Sequence, residues 1–215
     1  MFNFAPVFEM ILDKREQILE AAEELFAEYG FEGTSVRQLA QKAKVNVAMI
    51  SYYFGSKEQL IKALIQHRAG NFKETLEALN RDGNSPIEKL EKLIEYNVDR
   101  IFNNNRFHRV INREISLHQR SAFNKMISDT LLKNFEEMKK LIIDGQKKKV
   151  FRNVDVELTI ASMIGTISKV VQSSYFSCRI INIDPSKNSI FEEKHKSRVK
   201  KHLKDMMRAH LLLKK

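Results

Sequence analysis

Residues 35–54 read SVRQLAQKAKVNVAMISYYF, and this stretch decides the fold. Ser35 is followed three residues later by Gln38, a capping-box pattern that predicts the start of a helix. The apolar residues of that helix recur at spacings of three and four until the pattern breaks at residues 44–46. Asn46 is a favourable N-cap for a second short helix, residues 47–53. Two short helices joined by a tight turn predict a helix-turn-helix over residues 35–54.

The second helix of this pair has small and polar residues and no carboxylate on its outward face. Such a face suits the major groove of DNA, where phosphates would repel a carboxylate. The candidate DNA contacts are Thr34, Ser35, Arg37, Asn46, Val47, Ala48, Met49, Ser51, Tyr52, Tyr53 and Lys57. Val47, Ala48 and Met49 are expected to meet base edges, while the hydroxyl and basic groups hold phosphates. The alternative for this pattern alone is a three-helix packing unit that binds no nucleic acid.

A longer spaced pattern surrounds the helix-turn-helix. It runs ILxAAxxLFxxxGFxxTSVxxLAxxAxV over residues 18–45 and continues IxYYFGSKExL over residues 50–60. This pattern resembles the TetR/AcrR family of bacterial transcription regulators, and the resemblance covers residues 12–72. Two positions depart from the family pattern. Lys44 stands where glycine is usual, so a left-handed residue is expected there, and Ser51 stands where tyrosine is usual, which removes or weakens one phosphate contact.

The resemblance implies an all-α chain with two domains. Residues 12–72 would form a three-helix DNA-binding domain, and residues 73–215 a larger helical domain for ligand binding and dimerisation. It also implies a cytoplasmic, ligand-responsive repressor that binds a near-palindromic operator on double-stranded DNA as a homodimer. An unidentified small-molecule inducer would release it. Two-fold symmetry would place the two recognition helices roughly 34 Å apart, on successive major grooves.

The inducer pocket and the dimer interface are expected in the second domain. The candidate pocket residues are Tyr96, Phe102, Phe107, Phe123, Met126, Phe135 and Met138, for each of which ordinary core packing is the alternative. Polar groups that could orient a ligand are His108, Arg113, Glu114 and His118, for each of which a surface position or a bond to a neighbour on its own helix is the alternative. The candidate interface residues are Ala161, Gly165, Ser168, Gln172, Val199, Leu203, Met206 and Met207. The first four form a smooth strip on a helix that is apolar nearly all round, which predicts deep burial. Burial within one subunit is the alternative to a dimer interface.

Composition supports the helical class and narrows the function. The 215 residues include only 7 Gly and 3 Pro, which favours long helices. The single Cys excludes a disulfide framework, and no apolar run reaches the ~18 residues that a membrane span needs. The formal net charge of +10 is concentrated in residues 34–72 and 194–215. The last segment is interpreted as a solvated helix face, with a membrane-surface helix as the alternative.

No catalytic, metal-binding or cofactor motif is present in the sequence. The segment FGSK at residues 54–57 lacks the earlier glycine of a phosphate-binding loop, and no His-Glu-x-x-His occurs. We therefore expect that the protein is not an enzyme and that it binds neither a metal ion nor a cofactor. A second hypothesis remains open, in which the chain is a helical small-molecule-binding protein whose N-terminal module does not read DNA.

Overall fold

The computed structural model describes residues 5–69, 72–81, 83–116, 121–172 and 174–213. Within these residues the regular structure is helical, and a single isolated bridge joins Phe151 and Leu212. The helices are α1 (Ala5–Tyr29), α2 (Val36–Lys42), α3 (Val47–Phe54), α4 (Lys57–Ala69), α5 (Phe72–Arg81), α6 (Pro86–Asn103), α7 (Asn105–Ser116), α8 (Ser121–Lys147), α9 (Val156–Gln172), α10 (Ser174–Ile180) and α11 (Glu193–Leu211). The prediction of an all-α fold is confirmed.

Side-chain caps mark the starts of α2, α3 and α6, and those of α2 and α3 are the caps that the sequence predicts. Ser35 forms a reciprocal capping box with Gln38 at the start of α2, and Ser85 forms one with Glu88 at the start of α6. The side chain of Asn46 accepts a hydrogen bond from the backbone N–H of Met49, which starts α3. These side chains satisfy backbone N–H groups that have no partner inside the helix.

The spacing of apolar residues predicts helices over residues 14–29, 57–79 and 155–178, and the structure differs from each of these predictions. α1 begins at Ala5 rather than at Lys14. In place of one helix over 57–79 the structure has α4 and α5, and in place of one helix over 155–178 it has α9 and α10. Residues 70, 71 and 173, which separate these pairs, lie outside the described residues. Apolar periodicity cannot distinguish these arrangements, because a short interruption leaves the spacing of both halves intact.

The chain divides into two compact units. The first contains Met1–Gly70 with Arg109–Thr130, and the second contains Asn71–His108 with Leu131–Lys215. The predicted domains differ from these units mainly in the described residues 109–116 and 121–130, which belong to the first unit. α7 therefore begins in the second unit and ends in the first.

The core of the first unit contains a small apolar cluster from its first three helices. Ile18 and Phe26 of α1, Leu39 of α2, and Ile50 and Phe54 of α3 are all buried. Since the buried residues of α3 are spaced four apart, they occupy one face and leave the other face of this helix to solvent.

The second unit is held together by α6, α8, α9 and α11 around one apolar cluster. α6 and α11 also form a ladder of ion pairs, in which Lys200 Nζ lies 2.7 Å from Asp99 Oδ1. Lys204 pairs with Glu95, and Arg208 pairs with Glu91, one turn further along at each step. Lys200, Lys204 and Arg208 of the basic C-terminal segment therefore pair with carboxylates of their own unit.

The packing of α11 argues against the alternative in which this C-terminal helix lies on a membrane surface. The apolar residues Val199, Leu203 and Met207 of α11 are buried in the core of their own unit, so they offer no open apolar face. Among the described residues, every helix is too short or too polar to cross a lipid bilayer.

Gly145 of α8 provides a test of this core. A Cβ atom at this position would overlap the buried ring of Phe151, whose backbone N–H donates to Gly145 O at 3.0 Å. We expect Gly145→Ala to lower the free energy of unfolding by about 1–3 kcal/mol, because overpacking outweighs the better helix propensity of alanine. Urea denaturation measures this loss. The same replacement in a Phe151→Leu background should cost less, and unchanged stability of the single variant would contradict the packing.

Candidate DNA-binding interface

The exposed face of α3 is the surface that the sequence predicts for DNA. Ile50 and Phe54 anchor the helix, while Val47 and Tyr52 remain 43% and 80% exposed. Asn46, Ala48 and Ser51 are exposed as well, and Met49 and Tyr53 are half-buried. The rings of Tyr52 and Tyr53 meet edge to face at 5.2 Å between centroids. The helix therefore presents small apolar groups at its N-terminal end and phenol hydroxyls one turn later.

The turn between α2 and α3 has the left-handed residue that the sequence predicts at Lys44, with φ of 52°. The backbone N–H of Val45 donates to Ala40 O at 3.0 Å, and that of Lys44 donates to Gln41 O at 3.2 Å. These bonds close the turn, and Asn46 then caps α3 with an N–H to Oδ1 distance of 2.8 Å. Asn46 therefore fixes the position of α3, whatever contact it also makes with DNA.

The prediction that Thr34 holds a phosphate is wrong. Its side chain is 1% exposed, and its hydroxyl donates to Gly30 O at 2.8 Å and lies 3.2 Å from Leu25 O. Gly30 lies in the turn between α1 and α2, and Leu25 lies in the last part of α1, so the hydroxyl ties this turn to the helix before it and serves the fold. Ser35 and Arg37 are exposed at the start of α2 and remain candidates for phosphate contact.

Lys57 also serves this turn, in addition to any contact with DNA. Its Nζ donates to Phe31 O and to Thr34 O, both at 2.9 Å, and lies 4.3 Å from the centroid of the Phe31 ring. An ammonium group has three donors, so one remains for a phosphate. The sequence predicts only the phosphate role, because the spacing between residues 31 and 57 carries no signal of their contact.

Glu114 of α7 is part of the same structure, although the sequence suggests it as a ligand-orienting group. The residue is 7% exposed, and its carboxylate accepts a hydrogen bond from the backbone N–H of Phe31 at 3.2 Å. The Arg113 guanidinium lies against Gly30, whose φ of 77° suits glycine. His118, another suggested ligand group, lies outside the described residues.

Acidic residues of α1 neutralise part of the basic cluster of residues 34–72. Lys42 Nζ lies 2.6 Å from Glu24, and Arg68 Nε lies 2.6 Å from Glu23. His67 Nε2 lies 3.1 Å from Glu16. The positive charge that residues 34–72 can offer to DNA phosphates is therefore smaller than their net charge in the sequence. The exposed Arg37 accounts for a larger share of what remains.

Two sequence profiles match this arrangement of helices. The profile described as bacterial regulatory proteins of the tetR family matches residues 18–64, which contain the helix-turn-helix. The profile described as a tetracyclin repressor-like C-terminal domain matches residues 86–206, more than half of the chain. The chain belongs to the TetR family of transcriptional regulators.

Comparison with individual proteins supports the same family assignment. The chain is 32% identical over 144 residues to the Bacillus subtilis protein named "Probable HTH-type transcriptional regulator YttP", covering 66% of this chain and 69% of that one. It is 30% identical over 154 residues to the HTH-type transcriptional repressor NicS of Pseudomonas putida, covering 70% and 71%. The solved structure of FadR from Bacillus subtilis in complex with stearoyl-CoA superposes with a TM-score of 0.67 at 23% identity, covering 87% and 96%. That identity shows a shared fold. The relatives are named as regulators and not as enzymes.

The residues predicted for an inducer pocket are not gathered at one described cavity. Tyr96, Phe102, Phe135 and Met138 belong to the apolar core of the second unit, where Phe107 is also buried. Met126 belongs to the first unit, and the side chain of Phe123 lies outside the described residues. Cavities of 540, 440 and 330 Å³ lie instead among α9, α10, α11 and the loop before α11. Core packing therefore accounts for Tyr96, Phe102, Phe107, Phe135 and Met138 in this structure.

The predicted dimer residues divide between two environments. Val199, Leu203 and Met207 are buried within their own unit, so their assignment to a subunit interface is wrong. Ala161, Gly165 and Gln172 are exposed, Ser168 is half-buried, and a Cβ at Gly165 would meet no atom within 4 Å. The sequence predicts deep burial of this helix, but its strip of small residues is open in the single chain. Leu158, which is 65% exposed, extends this strip by one turn and is not among the residues that the sequence predicts for the interface.

Substitution of Glu114 tests its hydrogen bond to the turn between α1 and α2. Glu114→Ala leaves the buried N–H of Phe31 without its acceptor, so we expect a loss of about 1.5–3 kcal/mol in the free energy of unfolding. Glu114→Gln keeps an acceptor oxygen and should lose less. Urea denaturation gives the stability, and hydrogen exchange of the Phe31 amide reports the bond directly. Equal exchange at Phe31 in both variants and in the unmodified protein would refute this role.

Proposed function

We propose that this TetR-family chain is a ligand-responsive repressor, which binds a near-palindromic operator as a homodimer and leaves it when a small molecule binds. The observation that carries the DNA-binding part is the exposed face of α3. Ile50 and Phe54 hold the helix by one face, and Val47, Ala48 and Tyr52 stand open on the other. A helix held in this way can enter a major groove without unfolding its own core.

Repression and release by a ligand are supported by the relatives. The Pseudomonas putida relative is named a repressor, and the FadR structure of the same fold was solved with stearoyl-CoA. A ligand can release DNA only if it binds two conformations of the protein with different affinity. The second unit, with its separate helical core, is the part of the chain that we propose takes the ligand.

The basic experiment is selection of bound DNA from a random pool, followed by affinity measurement on the selected sequence. We expect a two-fold symmetric motif and an affinity well above that for unrelated DNA. Binding that never exceeds the salt-sensitive, sequence-independent level would support the alternative function, a small-molecule-binding protein whose helix-turn-helix does not read DNA.

Single substitutions then separate phosphate contacts from base contacts. Arg37→Ala should weaken binding to all sequences and reduce the slope of log K against log salt by about 1 for each phosphate that Arg37 neutralises. Tyr52→Phe should weaken binding because the phenol hydroxyl is removed, and Met49→Ala should change the preferred sequence. Arg179→Ala and Tyr175→Phe, exposed on α10, are the matched controls and should change nothing. Controls with equal effects would contradict the placement.

The homodimer is proposed to form along the open strip of α9. Leu158, Ala161 and Gly165 follow one another at helical spacing on its exposed face. Met206 and His210 of α11 line a 330 Å³ cavity beside this strip, together with Leu158. Small residues let a second helix approach closely, so a copy of the same face is the partner that we propose.

A pair of leucines tests this interface. Leu158→Glu should convert the dimer into a monomer, because burying a carboxylate against a second copy is costly. Leu132→Glu places the same charge on a leucine of α8 that is 51% exposed, and it should leave the dimer intact. Sedimentation equilibrium measures the mass of each. A dimer that survives Leu158→Glu, or that is absent in both variants, would overturn the proposed face.

A further inference from the structure

The largest of the three cavities described above, of 540 Å³, lies between α9, α10 and α11 and is called here the α10 pocket. Its apolar lining comes from Val170 of α9, Val199 of α11, and Ile180 and Ile181 where α10 ends. Ile180 is 56% exposed, so part of this apolar lining faces solvent in the single chain. A volume of about 300–1,000 Å³ with a largely apolar lining is usual for a small-molecule site.

The ionisable side chains at the α10 pocket are all basic. They are Lys169, Arg198 and His202, and among the described residues no carboxylate lines the pocket. Lysine and arginine side chains are cations at neutral pH. An imidazole can donate a hydrogen bond in its neutral form as well as in its protonated form. The pocket therefore combines an apolar surface with groups that bind anions.

Contacts with α10 and its end position both cations. Arg198 Nη1 donates a hydrogen bond to Ile181 O at 2.8 Å, which uses one of the five N–H donors of the guanidinium. Lys169 Nζ lies 5.1 Å from the centroid of the Phe176 ring, and Lys169 O accepts a hydrogen bond from the Ser177 hydroxyl at 2.9 Å. The free donors of a guanidinium held in this way can bind a carboxylate through two parallel hydrogen bonds.

The carboxylates of the surrounding helices are already paired. α10 has none, and those of α9 and α11 are Glu157, Glu193 and Asp205. Each of the three forms an ion pair with a lysine of the same chain, and none of these lysines lines the α10 pocket. Asp205 follows His202 by three residues, but the hydrogen bond from Lys201 is the main cause that lowers the pKa of Asp205. Lys169 and Arg198 therefore receive no neutralising partner from these helices.

A second copy of the chain is the competing occupant of the α10 pocket. Gly165 lines this pocket and also belongs to the strip of α9 that we propose as the dimer interface. In a two-fold interface the same surface patch faces itself, so a second copy would bring the same cations and the same paired carboxylates. It would leave Lys169 and Arg198 without an anion. Charge complementarity therefore favours an anionic small molecule.

We propose that the α10 pocket binds an amphipathic organic acid. Arg198 and Lys169 hold its carboxylate, and Val170, Val199 and Ile180 pack against its apolar body. This inference rests on the proposed function, because it names the place and the chemical class of the ligand that the repressor would sense.

The sequence carries no signal of this site. Of the ligand-orienting groups that the sequence suggests, His108, Arg113 and Glu114 are not among the residues that line the pocket. Lys169 and Arg198 resemble ordinary exposed cations of two separate helices, and only the fold brings them to one cavity.

Three eight-carbon probes test the ligand class on the full chain without DNA. Octanoate, 1-octanol and octylammonium share the apolar body and differ in the head group. Isothermal titration calorimetry should show octanoate binding at least about tenfold more tightly than the other two, because only octanoate can accept charge-assisted hydrogen bonds from Arg198 and Lys169. Absence of octanoate binding, or equal binding of 1-octanol, would overturn the proposal.

Substitutions then assign the binding to the two cations. Arg198→Met should weaken octanoate binding about tenfold and leave 1-octanol binding unchanged, because it removes the charge and keeps an apolar stem. Arg179→Met removes the same charge from an exposed position of α10 that does not line the pocket, and it should change neither. Equal weakening by the two variants would indicate attraction by the overall charge alone and would contradict the site.

Lys169→Met provides a second variant in case the loss of the bond between Arg198 and Ile181 O disturbs α10. Lys169 is exposed, and its side chain makes no hydrogen bond among the described residues, so the fold should survive its replacement. We expect weaker octanoate binding with an unchanged thermal unfolding curve. Octanoate affinity equal to that of the unmodified protein would remove Lys169 and the proposed placement of the carboxylate with it.

NMR locates the bound probe. Octanoate should shift the ring signals of His202, which lines the pocket, and leave those of His67 in the first unit unmoved. His202→Ala identifies the signals to follow. Ring signals of His202 that stay in place at saturating octanoate would show that the probe binds elsewhere.

The Leu158→Glu variant separates the pocket from the subunit contact. The residues that line the pocket come from one chain, so octanoate should bind this variant at least as tightly as it binds the unmodified protein. Loss of octanoate binding in a monomeric Leu158→Glu variant would mean that a second copy completes the site, against the proposal.

The same measurements keep this proposal apart from the proposed function. Specific operator binding without any octanoate binding would remove only the carboxylate site. Octanoate binding that requires Arg198, in a protein that selects no DNA sequence, would remove the repressor function and leave the carboxylate site.

Discussion

The backbone of the turn between α1 and α2 constrains the rest of the DNA-binding unit. Phe31 is buried, and its N–H and C=O groups need partners away from water. Glu114 accepts from the N–H, Lys57 donates to the C=O, and the Thr34 hydroxyl donates to Gly30 O. Each partner comes from a different part of the chain. The start of α2, at Ser35, is therefore positioned by side chains of α4 and α7.

Several charged side chains of this protein form ion pairs that join one helix to another. α1 supplies carboxylates to Lys42 and Arg68, and α6 supplies them to Lys200 and Lys204. Exposed ion pairs contribute little stability individually. Their effect on function is larger, because paired cations attract phosphates less strongly. The net charge of a segment thus overestimates its attraction for DNA, and the placement of exposed residues such as Arg37 matters more.

The sequence predicts local features well and long-range contacts poorly. Ser35, Asn46 and Ser85 cap helices because their side chains bond backbone three residues away, a relation visible in the sequence. The role of Thr34 and Lys57 could not be predicted, because it depends on backbone atoms that only the folded turn brings near. Periodicity likewise showed that α11 has an apolar face but not what covers it. Val199, Leu203 and Met207 proved to face their own core, and α9 proved to carry the open face.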